Sequence, residues 1–426
     1  MNAMEWYSKF WQPTAHVVSD YTRHGVRLDV NECLSRGANV HSDVMDITRE
    51  LNSMTGCEIN WASPTQLAEF LYGKLGLPIP PVKGTLKAIQ ANRGSRTTAE
   101  ASLAWLANNT KHKELINLIR KHKKKSRLIS FFNTLPTHVG LDGRIHPSLG
   151  INTETGRLSC SNPNLQQQPP QTRPVFVAAP GHVLICLDYS ALEWRILAHI
   201  LVSRYGDTSL VDEVKQRIDP HSATAVKMGV ARGSMDTLKK ENPEARAIGK
   251  ILNYAINYGK TARGLALQLG IPQKKAQGYL DKFYVARPGI RKFHNDIVDY
   301  ARKSGHVRSL LGRRRYLKFG GKMDFRAKNQ ALNVVQNCAA DVMALASLKA
   351  YPGQVAGWGS KELEELGAKQ VLQVHDEIIW EVPEQHAERA LKLCTYYMEN
   401  ALEGVRDFHC PLKVEGGIGK SWGDIK

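Results

Sequence analysis

An α+β fold is predicted by two apolar, strand-like runs far apart in the chain, each ending in acid, and by an amphipathic helix between them. The first run is Val183-Leu184-Ile185-Cys186-Leu187-Asp188. The second is Val371-Leu372-Gln373-Val374-His375-Asp376-Glu377, continued by Ile378-Ile379-Trp380. Short runs of aliphatic and β-branched residues have strand composition. Taken singly, either acidic end reads as a cap or a hairpin turn. An ionised carboxylate beside a buried strand is costly unless a cation neutralises it. Side by side, the two strands would make an oxygen-only divalent site, which suits Mg2+. Two such ions roughly 3.5 to 4 Å apart serve in-line displacement at phosphorus.

The helix between the runs covers residues 246–259. At about 100° per residue, Arg246, Lys250, Tyr254 and Tyr258 each advance about 40° on the last, with Asn253 and Asn257 at the edge of the same stripe. Ile248, Ile251, Leu252, Ala255 and Ile256 fall opposite. The pattern predicts a helix that buries one face and offers water two cations, two amides and two phenol rings. Arg and Lys one turn apart suit a polyphosphate, gripped bidentately by one and met as a point charge or proton donor by the other. The flat rings beyond suit a base or a sugar.

Composition is consistent with phosphate-rich partners. The chain has 426 residues, 42% hydrophobic, and a formal net charge of +18. Two or three domains and a polyanionic partner are expected. Seven cysteines without a CxxC pair argue against a disulfide framework or a zinc site. No signal peptide and no long apolar span is evident, so a soluble, cytoplasmic protein is expected, with no membrane partner. The densest cationic stretch runs from Lys111 to Arg127 and includes Lys121, Lys124 and Arg127. A charge run is ordinarily a solvated face. Gly73 to Gly94, with Pro78, Pro80, Pro81 and Gly84, reads as a loop or linker. A second basic cluster, Arg308, Arg313, Arg314, Arg315 and Lys318, lies in a turn-rich stretch.

Three of these segments, Asp188 to His199, Arg246 to Gly259, and His375-Asp376-Glu377, resemble in order and spacing the polymerase motifs of family A DNA polymerases, the DNA polymerase I type. Further matches are Thr155-Gly156-Arg157-Leu158-Ser159 with Pro163-Asn164-Leu165-Gln166, Asp219 to Ala225, Gly305 to Arg314, and Gln336 to Asp341. The resemblance covers residues 140 to 426 densely and 25 to 135 loosely. It implies a right hand: an N-terminal segment (1–45), a helical thumb (46–135), an antiparallel-sheet palm (136–205 and 325–426) and mostly helical fingers (206–324). Asp188 would sit on a palm strand and Asp376 at a hairpin turn. The residues before 25 leave no room for a proofreading exonuclease domain, so a polymerase module alone is expected.

The resemblance also implies roles. Asp188, Asp376 and the Tyr189 carbonyl would hold two Mg2+ ions, with Glu377 supporting them. Arg246, Lys250 and His221 would bind the phosphates of a dNTP, Lys250 protonating pyrophosphate as it leaves. Tyr254 would stack beside the incoming sugar and base, and Tyr258 would shape the pocket. Glu193 would exclude a ribose 2′-hydroxyl, which argues against the rival reading as a single-subunit RNA polymerase. Arg157, Gln336 and His375 would contact primer-template DNA in the minor groove, and the thumb cations Lys121, Lys124 and Arg127 would contact its phosphates. Keeping Asp188, Asp376, Lys250 and Arg246 together would be without reason in an inactive DNA-binding protein. The stretch Leu332-Asn333-Val334-Val335-Gln336 is similar to a phage-type variant, which implies viral DNA replication in a bacterial host cytoplasm. A processivity factor or a separate exonuclease are candidate partners. The chain departs from the family pattern at Ala191, Trp194, Ala255 and Asn333, none of them an expected metal ligand; Asn333 is given no DNA contact.

Overall fold

A computed structural model describes residues 3–80, 96–321 and 324–425. The chain divides into two compact units. The larger comprises Met1–Asp29, His138–Lys260 and Tyr279–Lys426, and the smaller Val30–Thr137 with Thr261–Gly278.

The larger unit is built on a four-stranded antiparallel sheet. Its strands are β1 (His182–Tyr189), β2 (Lys369–Val374), β3 (Glu377–Pro383) and β4 (Val414–Gly419), in the order β4-β1-β3-β2. Every residue from Val183 to Leu187 is buried, as is every residue from Glu377 to Val382. Such unbroken burial is expected of central strands covered on both faces, which is why these runs read as continuous rather than alternating. β4 approaches β1 closely because Gly416, at φ +150°, lacks a Cβ that would lie 1.9 Å from the Cys186 carbonyl oxygen. β2 and β3 are joined by the corner His375-Asp376, where His375 adopts φ 55°. A left-handed residue lets so short a corner follow the twist of the two strands.

Five helices of this unit position the site: α1 (Leu192–Tyr205), α2 (Pro220–Lys227), α3 (Pro243–Asn257), α4 (Val334–Lys349) and α5 (Ala387–Glu399). α1 follows β1 after a sharp reversal at Ala191, which adopts φ 51°. α2 is capped by Asp219, whose carboxylate accepts the Ser222 N–H, and Pro220 fills the first turn. α3 starts in the same way at Asn242 and Pro243. The two helices lie against each other at Gly249, where a Cβ would come 2.1 Å from the His221 carbonyl oxygen. Thr224 donates to Asn253 Oδ1 at 2.7 Å, and Asn253 Nδ2 donates to the Pro220 carbonyl at 3.0 Å. Asn253 and Asn257 are therefore buried, at 2% and 6% exposure, instead of facing water as their place in the sequence suggested.

In the smaller unit, the helices Val30–Thr55, Glu100–Asn109 and Lys113–Thr134 surround a core that includes Leu51, Trp61, Leu71, Leu103, Ile116 and Ile119. The basic run falls on the helix Lys113–Thr134. Lys123 donates to the Thr98 carbonyl at 2.6 Å, Lys125 pairs with Asp43, and Arg120 pairs with Glu100. Lys121, Lys124 and Arg127 are exposed. The expected loop begins two residues late, because Gly73 and Lys74 close the helical segment Glu69–Lys74; residues 81–94 of it lie outside the described residues. No single described helix is long and apolar enough to cross a membrane.

Candidate active site

Asp188 is exposed near the end of β1, and the sheet register sets it opposite Glu377 on β3 and Glu415 on β4. Directly opposed residues of antiparallel strands project to the same face. Glu415 is thus a third acid in that row, which the sequence did not single out because strand pairing alone brings it there. Asp376 lies at the adjoining corner, its backbone carbonyl accepting the Tyr189 N–H at 3.1 Å. Tyr189 is anchored by its hydroxyl, which donates to the Met398 carbonyl at 2.6 Å on α5.

One guanidinium serves two carboxylates here. Arg157 Nη2 lies 2.9 Å from Glu193 and 3.5 Å from Asp376. Glu193, buried in the first turn of α1, also accepts the hydroxyl of Tyr258. Burial pushes the Glu193 carboxyl above its usual range, against the pull of Tyr258 and Arg157. Burial likewise pushes Asp376 upward, opposed by Arg157 and His375.

Tyr254, 39% exposed on α3, overlooks this corner. Burial of its hydroxyl, then the fields of Glu193, Asp376 and Asp188, push the phenol up to about 12. Tyr258, one turn on, is raised too, by burial and then by Glu193. On the other side the Tyr254 ring lies 5.9 Å from the His221 ring.

His221 belongs to a second cluster, where α2 meets α3. Arg246 grips Asp219 with two hydrogen bonds, of 2.8 and 2.9 Å. Burial works to raise the Asp219 carboxyl, but Arg246 and Ser222 outweigh it and hold it at about 2. Burial, helped by Arg246 and Lys250 and opposed by Asp219, lowers His221 to about 4, so the ring is neutral near pH 7. Asn253 Nδ2, its donor role fixed by Thr224 and Pro220, lies 3.1 Å from His221 Nδ1, which must accept. The proton of His221 therefore sits on Nε2. Lys250 is exposed one turn beyond Arg246. Asp219 as the partner of Arg246 is a pairing that only the helix contact reveals.

The remaining expected site residues are placed as follows. Glu377 is buried, both its oxygens 3.3 Å from Trp422 Nε1 and one 3.6 Å from Arg173, which itself lies 4.3 Å over the Trp422 ring. It is held from behind by Arg173 and the C-terminal Trp422, neither of which the sequence pointed to. His375 forms the exposed corner, and Gln336 is half-buried in the first turn of α4. Lys121, Lys124 and Arg127 belong to the smaller unit. Of the departures from the family pattern, Trp194 is buried beneath the Arg287 guanidinium, 5.1 Å from its ring.

A right-hand palm is what this sheet and its acidic corner define. The sequence profile described as DNA polymerase family A matches residues 31–424, and the chain belongs to that family. It is 32% identical over 434 residues to the thermostable DNA polymerase I of Thermus aquaticus, covering 98% of this chain and 48% of that one. It is 34% identical over 427 residues to DNA polymerase I of Pseudomonas aeruginosa, covering 96% and 43%. The chain thus spans about half the length of the curated relatives it matches. Among solved structures it is similar to the POL domain of Pol1 from M. smegmatis in complex with DNA primer-template and dNTP. The TM-score is 0.84 at 29% identity, with 97% of this chain and 70% of that chain covered.

Proposed function

We propose that the chain is a template-directed DNA polymerase that adds dNTPs to a primer 3′-hydroxyl at the corner formed by Asp188 and Asp376. The carrying observation is the pairing of two unlike clusters along α3, one rich in carboxylates and one rich in cations, with Tyr254 between them. The residues suit divalent metal. The donors are oxygen only, and Glu193 and Asp376 share a single guanidinium. Among the described residues no group of three or more His, Cys, Asp or Glu is placed to hold a metal ion by itself. An open site completed by substrate phosphate and water is how Mg2+ is commonly held. Asp188, Asp376 and the Tyr189 carbonyl would hold two Mg2+ ions, which when bound activate the 3′-hydroxyl and neutralise charge developing on the phosphates.

The side chains do the rest. Lys250 meets the triphosphate and supplies a proton to the departing pyrophosphate. Arg246, whose Nε and Nη2 hold Asp219, turns its remaining Nη1 to the same phosphates, and His221 donates from Nε2. Tyr254 lies flat beside the incoming sugar. Glu193, fixed by Arg157 and Tyr258, occupies the space a 2′-hydroxyl would need. Arg157, Gln336 and His375 read acceptor atoms common to all base pairs in the minor groove, with Glu377 steadying the strand behind them. Lys121, Lys124 and Arg127 hold the duplex backbone. The finer reading as a viral replication enzyme rests on Leu332 to Gln336.

The test is primer extension on a defined template, with dNTPs and rNTPs compared and Mg2+ withheld in one arm. Metal-dependent extension by dNTPs is expected, with Glu193→Ala admitting rNTPs. Equal use of rNTPs by the wild type would favour an RNA polymerase, and binding without extension an inactive DNA-binding protein.

A further inference from the structure

Far from the polymerase motifs in sequence, Lys74 Nζ lies 2.7 Å from Cys57 Sγ. Cys57 stands two residues beyond the helix Val30–Thr55, and Lys74 ends the segment Glu69–Lys74. The sulfur is buried at the edge of the core that contains Trp61 and Leu71, whereas Lys74 is exposed. Thr55 steadies the cysteine: its Oγ1 accepts the Cys57 N–H, and its carbonyl accepts the thiol, each at 3.3 Å. Among the described residues, no carboxylate pairs with Lys74. Sulfur is larger than oxygen, so an N–H···S contact should be longer than the usual N–H···O bond of about 2.9 Å. This one is shorter, and it matches the span of a nitrogen and a sulfur joined through one oxygen atom.

We propose that Cys57 and Lys74 form an oxidation-sensitive pair that closes into a covalent N–O–S link. The exposed lysine leaves a path for a small oxidant to the sulfur. The oxidant is dioxygen. One of its atoms bonds to both sulfur and nitrogen. The other leaves as water with the thiol hydrogen and one amine hydrogen, and dioxygen takes two electrons from each partner. Two dithiol molecules, each closing to its disulfide, supply the four electrons and four protons that reverse the step, returning thiol, amine and water. The link would fasten the end of the long helix to the segment Glu69–Lys74, restricting the unfolded chain as a disulfide does.

The test uses the full chain, held under dithiol or exposed to aerated buffer, with intact mass, peptide mapping and melting temperature measured. After oxidation the mass should rise by one oxygen less two hydrogens, a peptide pair joining residues 57 and 74 should appear, and the melting temperature should increase. Dithiol should undo all three. Cys57→Ser and Lys74→Arg should each prevent them, the second keeping the charge and the fold. Oxidation of Cys57 to a sulfenic or sulfinic acid without a cross-link, an unchanged mass, or a link that persists in Lys74→Arg would overturn the proposal.

Discussion

The carboxylate corner and the helix junction both place charge beside buried backbone, but they neutralise it differently. At the junction, Asp219 and Arg246 satisfy one another with two short hydrogen bonds, and the same carboxylate caps α2. At the corner, Glu193 and Asp376 share one nitrogen of Arg157, and burial holds both carboxyls above their usual range. At the junction the Asp219–Arg246 pair is satisfied within the fold. On the proposed reading, an incoming cation would relieve the raised carboxyls of the corner.

The largest effect should come from breaking the corner. Asp188→Ala or Asp376→Ala should abolish primer extension while primer-template affinity stays within a few fold, since phosphate contacts supply most of that affinity. Asp376→Asn should leave the melting temperature unchanged or raise it, because a carboxylate disfavoured by burial is removed. Extension at the wild-type rate by either alanine variant, or a marked loss of stability in Asp376→Asn, would erase the contrast.

Tyr254 lies between the two regions and should respond as a substrate contact. If its hydroxyl stands in for the polar partner that a missing 3′-hydroxyl would have supplied, the wild type accepts dideoxynucleotides readily. Tyr254→Phe should then restore discrimination by about 1.5 to 3 kcal/mol, the worth of one charge-assisted hydrogen bond. Single-nucleotide kinetics with dNTP and ddNTP on one primer would measure this, and identical selectivity would remove Tyr254 from the sugar.

The junction should respond in stability. Asp219→Asn keeps a capping side chain but loses the charge opposite Arg246, and should cost roughly 2 kcal/mol near pH 7. Because the carboxyl is depressed from 3.8 to about 2, its contribution is present above 3.8 and is lost as pH falls through about 2. Melting curves of the two proteins should therefore differ near neutrality and converge in acid. A constant gap across that window would mean that the pair does not carry the difference.

The smallest effects are expected on the basic helix of the smaller unit. Removing Lys121, Lys124 or Arg127 singly should weaken DNA binding a few fold and reduce the salt dependence by about one counterion each. Lys123 and Lys125, already engaged with Thr98 and Asp43, should cost stability instead. Titrations at several salt concentrations separate the two outcomes.

The sequence by itself determined the two strands, the acids at their ends and the amphipathic helix between them. Each is a local property, of composition in Val183–Leu187 and of angular spacing in Arg246–Tyr258, that survives without knowledge of neighbours. Asn253 and Asn257 mark the limit of that reasoning. At the border of the polar stripe, angle cannot say whether a side chain meets water, and the close approach at Gly249 put them inside. Only the tertiary structure decided that Arg157 lies between Glu193 and Asp376, that Asp219 holds Arg246, that Glu415 joins the row of Asp188, and that Trp422 backs Glu377. These are pairings between segments remote in the chain, set by sheet register and helix contact, and no periodicity within one segment encodes them.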